Sequence, residues 1–201
     1  KNLSMVIKKW RMIMQFQSLN ENYIRIYDDI ITKDLCDELI SEFERNESQF
    51  DKQVLKDHRS FTQIALQQHP NWKPYADELQ GVFNKCVWRY MQDCQVTDKM
   101  FPPQYAYEMY RMKRYEPNGI DEFHDHVDVG NHESAKRFLV FFLYLNEPQG
   151  GETDFPQRGV SVSPKAGRLL MFPPMWTHLH AGRKVTGDTS KYIVGSYLHY
   201  I

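Results

Sequence analysis

The chain has 201 residues, 41% hydrophobic and 25% charged, which suits a soluble globular fold and excludes disordered, collagen-like and solenoid architectures. Its 25 Lys and Arg against 26 Asp and Glu leave a formal charge of −1, so no global basic field points to nucleic acid or an anionic membrane surface. No stretch reaches the ~18 apolar residues of a membrane span, and Cys36, Cys86 and Cys94 are odd in number and lack zinc-type spacing.

The segment Leu3 to Trp10 is too short and too broken by charge for a signal peptide, so the chain reads as a cytoplasmic, soluble protein. Tyr23 to Tyr27 reads as a short strand. Thr32 is then the N-cap of a helix with Leu35, Cys36, Leu39, Ile40 and Phe43 at helical spacing. The polar stretch from Arg45 to Pro70 has weak periodicity and reads as a loop region. Pro74 opens a longer helix whose one face carries Tyr75, Leu79, Val82, Phe83, Cys86, Val87, Tyr90 and Met91. Cys36 and Cys86 fall at apolar helix positions, as buried reduced thiols would.

From Pro102 the pattern turns to β. Tyr105 to Tyr115 has no helical phase, Phe138 to Leu145 is a continuous apolar run, and Arg168 to Phe172 and Lys191 to Tyr200 are further strands punctuated by turns. An aromatic content of 14% agrees with that reading. The expected architecture is one domain over 1–201, α+β but mainly β. About 1–100 form a helical support packed on one sheet, and about 101–201 form a sandwich or barrel.

The chemistry concentrates in two histidine clusters, Phe123-His124-Asp125-His126-Val127-Asp128 and Trp176-Thr177-His178-Leu179-His180. On a strand, residues two apart share a side, so His126 and Asp128 present an imidazole and a carboxylate to one point. Two histidines and a carboxylate facing open coordination positions make a non-haem Fe(II) oxygenase site. His124 has the same parity and competes as a ligand; Asp125 has the wrong parity. A second histidine must otherwise come from elsewhere, and the second cluster offers one. Arg111, Lys113 and Arg114 read as one exposed strand face with Met112 turned inward, with Arg111 or Lys113 as the alternative lining of a substrate groove.

Between and after the clusters lie Gly150-Gly151-Glu152-Thr153-Asp154-Phe155-Pro156 and Val160 to Phe172, the latter containing Pro164, Gly167, Leu169 or Leu170, and Phe172. In that order, with H-x-D upstream and a His followed by a Lys downstream, they resemble the prolyl 4-hydroxylase-like group of 2-oxoglutarate/Fe(II) dioxygenases over roughly 105–200. The resemblance implies a jelly roll, or double-stranded β-helix, and iron ligands His126, Asp128 and His180, with His178 the minor alternative to His180. It implies that Lys191 binds the distal carboxylate of 2-oxoglutarate, with Arg183 and Lys184 in reserve, and that Tyr144 and Tyr115 are pocket tyrosines. Trp176 and Thr177 are candidate lining residues. The cofactors implied are Fe(II), 2-oxoglutarate as cosubstrate and O2, with ascorbate as an accessory. The activity implied is hydroxylation of a prolyl residue in a peptide or protein, with succinate and CO2 as coproducts. The alternatives are the same chemistry on a free amino acid or other substrate, or a non-catalytic metal-binding jelly roll. No membrane or nucleic-acid partner is expected.

Overall fold

A computed structural model describes residues 16–18 and 23–201; the segment Leu3 to Trp10 lies outside the described residues. The strands are β1 (Phe16–Ser18), β2 (Arg25–Tyr27), β3 (Asp51–Leu55), β4 (Arg59–Ala65), β5 (Tyr105–Tyr107), β6 (Arg111–Tyr115) and β7 (Glu122–His126). They continue as β8 (Arg137–Tyr144), β9 (Thr153–Phe155), β10 (Val160–Val162), β11 (Arg168–Phe172), β12 (His180–Gly182) and β13 (Lys191–Tyr200). Two helices, α1 (Lys33–Arg45) and α2 (Lys73–Asp93), complete the regular structure. None of the described helices is long and apolar enough to cross a membrane.

Thr32 caps α1 as its sequence position predicts: its hydroxyl oxygen accepts from the Leu35 N–H at 3.2 Å. The apolar stripe of α1 buries Cys36, Leu39 and Phe43, and that of α2 buries Leu79, Phe83, Cys86, Val87 and Tyr90. Cys36 and Cys86 are free and buried, and Cys94 is free and half-buried.

The stretch expected as loop is different. Residues 51–65 form the β3–β4 hairpin, and β4 lies inside the sheet between β6 and β7. Its polar residues conceal it. Ser60 and Thr62 are buried, and the Ser60 hydroxyl donates to Asp121 Oδ1 at 2.6 Å, so a central strand carries polar side chains that the interior satisfies. The first hundred residues therefore supply strands β2 and β4 as well as helices.

All strand pairs are antiparallel, in the order β1-β2-β11-β8-β13-β6-β4-β7-β12-β9-β10, with β3 on β4 and β5 on β13. The continuous apolar run of β8 serves two cores. Leu139, Phe141 and Leu143 pack with the helices, whereas Val140, Phe142 and Tyr144 face the other way. On that second face the far end of the sheet folds back, and Phe155 of β9 meets Phe172 of β11 edge-on at 4.8 Å. Burying each large side chain of this kind contributes ~1.5–3 kcal/mol, so β8 ties both layers together. The result is a double-stranded β-helix with the two helices covering its outer face.

Candidate active site

His126 ends β7, Asp128 follows two residues later, and His180 begins β12. The pairing of β12 with β7 sets His180 directly opposite His126. One ligand atom from each of the three side chains lies within 4.8 Å of the others, a group that could hold a metal ion. His126 Nε2 stands 3.6 Å from Asp128 Oδ1, and His180 Nε2 stands 3.4 Å from Oδ2.

The two imidazoles are oriented alike. His126 Nδ1 donates to the His124 carbonyl at 2.7 Å, and His180 Nδ1 donates to the His178 carbonyl at 3.0 Å. A carbonyl only accepts, so each proton sits on Nδ1 and each Nε2 lone pair points into the cluster. His180 Nε2 and Asp128 Oδ2 are buried and have no hydrogen-bond partner among the described residues. Orphaned acceptors aimed at one point cost free energy unless something else fills them, and a divalent cation matches this donor set. Burial lowers the His180 pKa to about 4 despite the attraction of Asp128. Burial alone would raise Asp128, but His180, His126 and Tyr197 together hold its carboxyl below the usual range. At neutral pH neither group has a proton to release to a metal.

Simple strand parity does not select these ligands. Between the pairs His180↔His126 and Gly182↔Phe123, β7 carries one residue more than β12, a β-bulge. The extra residue resets the alternation, so Phe123 and His126 stack at 3.5 Å while His124 turns out beside Glu122. His124 is therefore outside the cluster. Asp128 lies beyond the end of β7, where its N–H and that of Val129 donate to the Pro174 carbonyl. His178 is buried with its side chain on Thr177 and lines a different cavity; what it offers His180 is a backbone carbonyl.

Asp128 is held from a second direction. The Tyr197 hydroxyl donates to Oδ1 at 2.7 Å, and Arg137 donates to the Asp128 carbonyl at 3.3 Å. The guanidinium of Arg137 also lies over the Tyr197 ring at 4.1 Å and pairs with both carboxylate oxygens of Glu108. Sequence reasoning missed Tyr197, yet it shares the strand parity of Lys191 on β13, and that was the available signal.

A cavity opens beside the cluster, and Lys191 lines it. Its side chain is 1% exposed; its ammonium donates to the Gly151 carbonyl at 2.9 Å and lies over the Tyr115 ring at 4.2 Å. Burial drives its pKa down to about 7, and the neighbouring Lys113 pushes the same way. Gly151, with φ +73°, makes room: a Cβ there would come within 3.0 Å of Lys191 Cδ. The reserve cations are engaged elsewhere, Arg183 with Asp125 and Asp154 and Lys184 with Glu122. Tyr115 is buried and lines the cavity. Tyr144 stands behind Thr153, donating to its hydroxyl at 2.6 Å, and Thr153 lines the cavity. Trp176 is 77% exposed, and neither it nor Thr177 lines this cavity. The exposed-face reading of Arg111 to Arg114 fails at Lys113, which is buried and faces the cavity with its pKa lowered by burial to about 8. Two residues apart on β6, it shares a strand side with Tyr115, and β6 has buried residues on both faces.

Residues 110–199 match the 2OG-Fe(II) oxygenase superfamily. No curated protein sequence matches the chain. Among solved structures, the fold is similar to the viral collagen prolyl hydroxylase vCPH of Paramecium bursaria Chlorella virus-1 in its 2OG complex, at 22% identity and TM-score 0.69, covering 92% of this chain and 100% of that one. It is also similar to a Trichoplax adhaerens prolyl hydroxylase in complex with a hypoxia inducible factor oxygen degradation domain peptide fragment, at 16% identity and TM-score 0.68, covering 90% and 85%. A Pseudomonas putida prolyl-4-hydroxylase gives 18% identity and TM-score 0.63, covering 90% and 94%. At these identities the likeness establishes the fold.

Proposed function

We propose that this chain is a 2OG-Fe(II) oxygenase, the superfamily whose model its residues 110–199 match, and that it hydroxylates a prolyl residue of a peptide or protein. His126, Asp128 and His180 are the residues that hold Fe(II), and Lys191 receives the far carboxylate of 2-oxoglutarate. The bound metal supplies the coupling of 2-oxoglutarate decarboxylation, to succinate and CO2, with insertion of one oxygen atom of O2 into a C–H bond.

The chain's own residues do the positioning. Asp128 brings the negative charge that a divalent cation needs, and Tyr197 and Arg137 fix its carboxylate. The His124 and His178 carbonyls keep both Nε2 atoms unprotonated. Lys191 meets a carboxylate in a water-poor cavity, where a charge-assisted bond is strong. Tyr115 shapes that end of the cavity, and Tyr144 buttresses Thr153. The likeness to three prolyl hydroxylase structures, one holding a peptide, supports a prolyl residue in a peptide as the target.

One observation carries the proposal: three ligand atoms from two strand ends within 4.8 Å, two of them buried and without a hydrogen-bond partner among the described residues. The test is Fe(II)-dependent succinate formation from 2-oxoglutarate with a panel of proline-containing peptides. Asp128→Ala is expected to reduce turnover to background while its circular dichroism stays native. Undiminished turnover in that variant refutes the ligand set. Turnover of 2-oxoglutarate without hydroxylation of any peptide retains the chemistry and removes the prolyl target.

A further inference from the structure

Two buried ammonium groups on neighbouring strands face the same cavity, and the reaction as proposed uses only one. Lys191 and Tyr115 are paired across β13 and β6, and two residues along, Ile193 is paired with Lys113. Lys113 is 9% exposed and lines the cavity together with Asp128, Phe142 and His180. Its Nζ lies 4.9 Å from the centre of the Phe61 ring and 6.0 Å from that of Phe142. Among the described residues it makes no ion pair or hydrogen bond; two aromatic faces and the longer-range attraction of Asp128 are its compensation. Its surroundings, Phe61, Phe142 and Ile193, are those of an apolar core. An ammonium kept there without a paired anion carries a desolvation penalty, which an apolar residue at this position would avoid.

Charge balance says what is missing. When the site is loaded, Asp128 and the near carboxylate of 2-oxoglutarate balance Fe(II), and the far carboxylate balances Lys191. Lys113 is left over. Resting on the function proposed above, we propose that Lys113 binds a carboxylate of the substrate, so that the enzyme selects targets carrying an acidic group beside the hydroxylated carbon. In a peptide this is an Asp or Glu adjacent to the target residue. A cation in a desolvated cavity discriminates a carboxylate from its isosteric amide, because the amide leaves the charge unpaired.

The experiment is calorimetric binding to the full chain loaded with Mn(II) and 2-oxoglutarate under anaerobic conditions, so that no turnover is needed. The probes are proline-containing peptides with Asp beside the proline and the same peptides with Asn. The wild type is expected to bind the Asp peptides at least about tenfold more tightly. Lys113→Met should abolish that preference, and Lys113→Arg should retain part of it. Both variants should keep 2-oxoglutarate affinity within about tenfold of the wild type, the residual change reflecting the charge coupling of Lys113 to Lys191. Equal affinity for both peptide types, including undetectable binding of either, overturns the proposal, as does a preference that survives in Lys113→Met. A larger loss of 2-oxoglutarate affinity in Lys113→Met also overturns it, since Lys113 would then serve the cosubstrate. Failure of the wild type to bind 2-oxoglutarate with Mn(II) strikes instead at the function on which the inference rests, and removes both.

Discussion

Lys191 is a lysine almost wholly buried, and its protonation governs what the cavity can hold. Burial lowers its pKa from the ordinary 10.5 to about 7. Between those values the unfolded chain holds a proton that the folded chain has lost. The desolvation penalty from this group is therefore full below about pH 7 and fades as the pH rises towards 10.5. A dicarboxylate acts in the opposite direction, because it favours the ammonium. Binding of 2-oxoglutarate above pH 7 should thus take up a proton, and its affinity should fall as the pH climbs. Calorimetry in buffers of different ionisation enthalpy measures that uptake. Lys191→Met should weaken 2-oxoglutarate by roughly 10- to 100-fold, the worth of a hydrogen bond to a charged group, and should abolish the uptake. Affinity in Lys191→Met equal to wild type would move the cosubstrate to another cation.

At the scale of elements, the approach of α1 to the sheet depends on one glycine. Gly167 precedes β11 with φ +74°, and its carbonyl accepts from the Ile30 N–H at 2.9 Å. A Cβ at this position would lie 2.6 Å from the Ile31 carbonyl oxygen, just before the Thr32 cap. Gly167→Ala combines a left-handed backbone with a collision against main chain, so neither partner can yield cheaply. It should destabilise the fold by about 1–3 kcal/mol, read as a lower urea midpoint with an unchanged slope. A midpoint equal to wild type would mean that the β2–α1 connection is freer to move than its contacts indicate. The bulge in β7 is the other decisive element, because it sends Phe123 and His126 inward and His124 outward.

At the scale of the molecule, the cluster of His126, Asp128 and His180 joins the ends of two strands. β7 and β12 meet at His126 and His180, while Tyr197 and Arg137 reach Asp128 from β13 and β8. A ligand bound there crosslinks elements from both layers and stabilises only the folded chain. At a hundredfold excess over its dissociation constant it adds about 2.7 kcal/mol, which for a chain of this size is a rise of about 5–10 °C in Tm. Mn(II) with 2-oxoglutarate should produce that rise in the wild type, EDTA should reverse it, and Asp128→Ala should show neither effect. A rise of the same size in Asp128→Ala would place the metal elsewhere.

The sequence by itself determined the helices, the apolar strands and the chemical class of the site. Their signals are local: the Thr32 cap, the stripe from Leu79 to Tyr90, the two-sided run of β8, and histidines and an acid at characteristic spacing. Tertiary structure decided the rest. β4 is a central strand although it reads as polar, because Asp121, remote in sequence, satisfies Ser60. His126 rather than His124 joins the cluster because of a bulge defined only by the pairing with β12. Lys113 is a buried cation and not a surface one because Phe61 and Phe142 cover it from other strands. A side chain's charge and period are written in the chain, but whether a face is covered, and by what, is fixed only when distant segments meet.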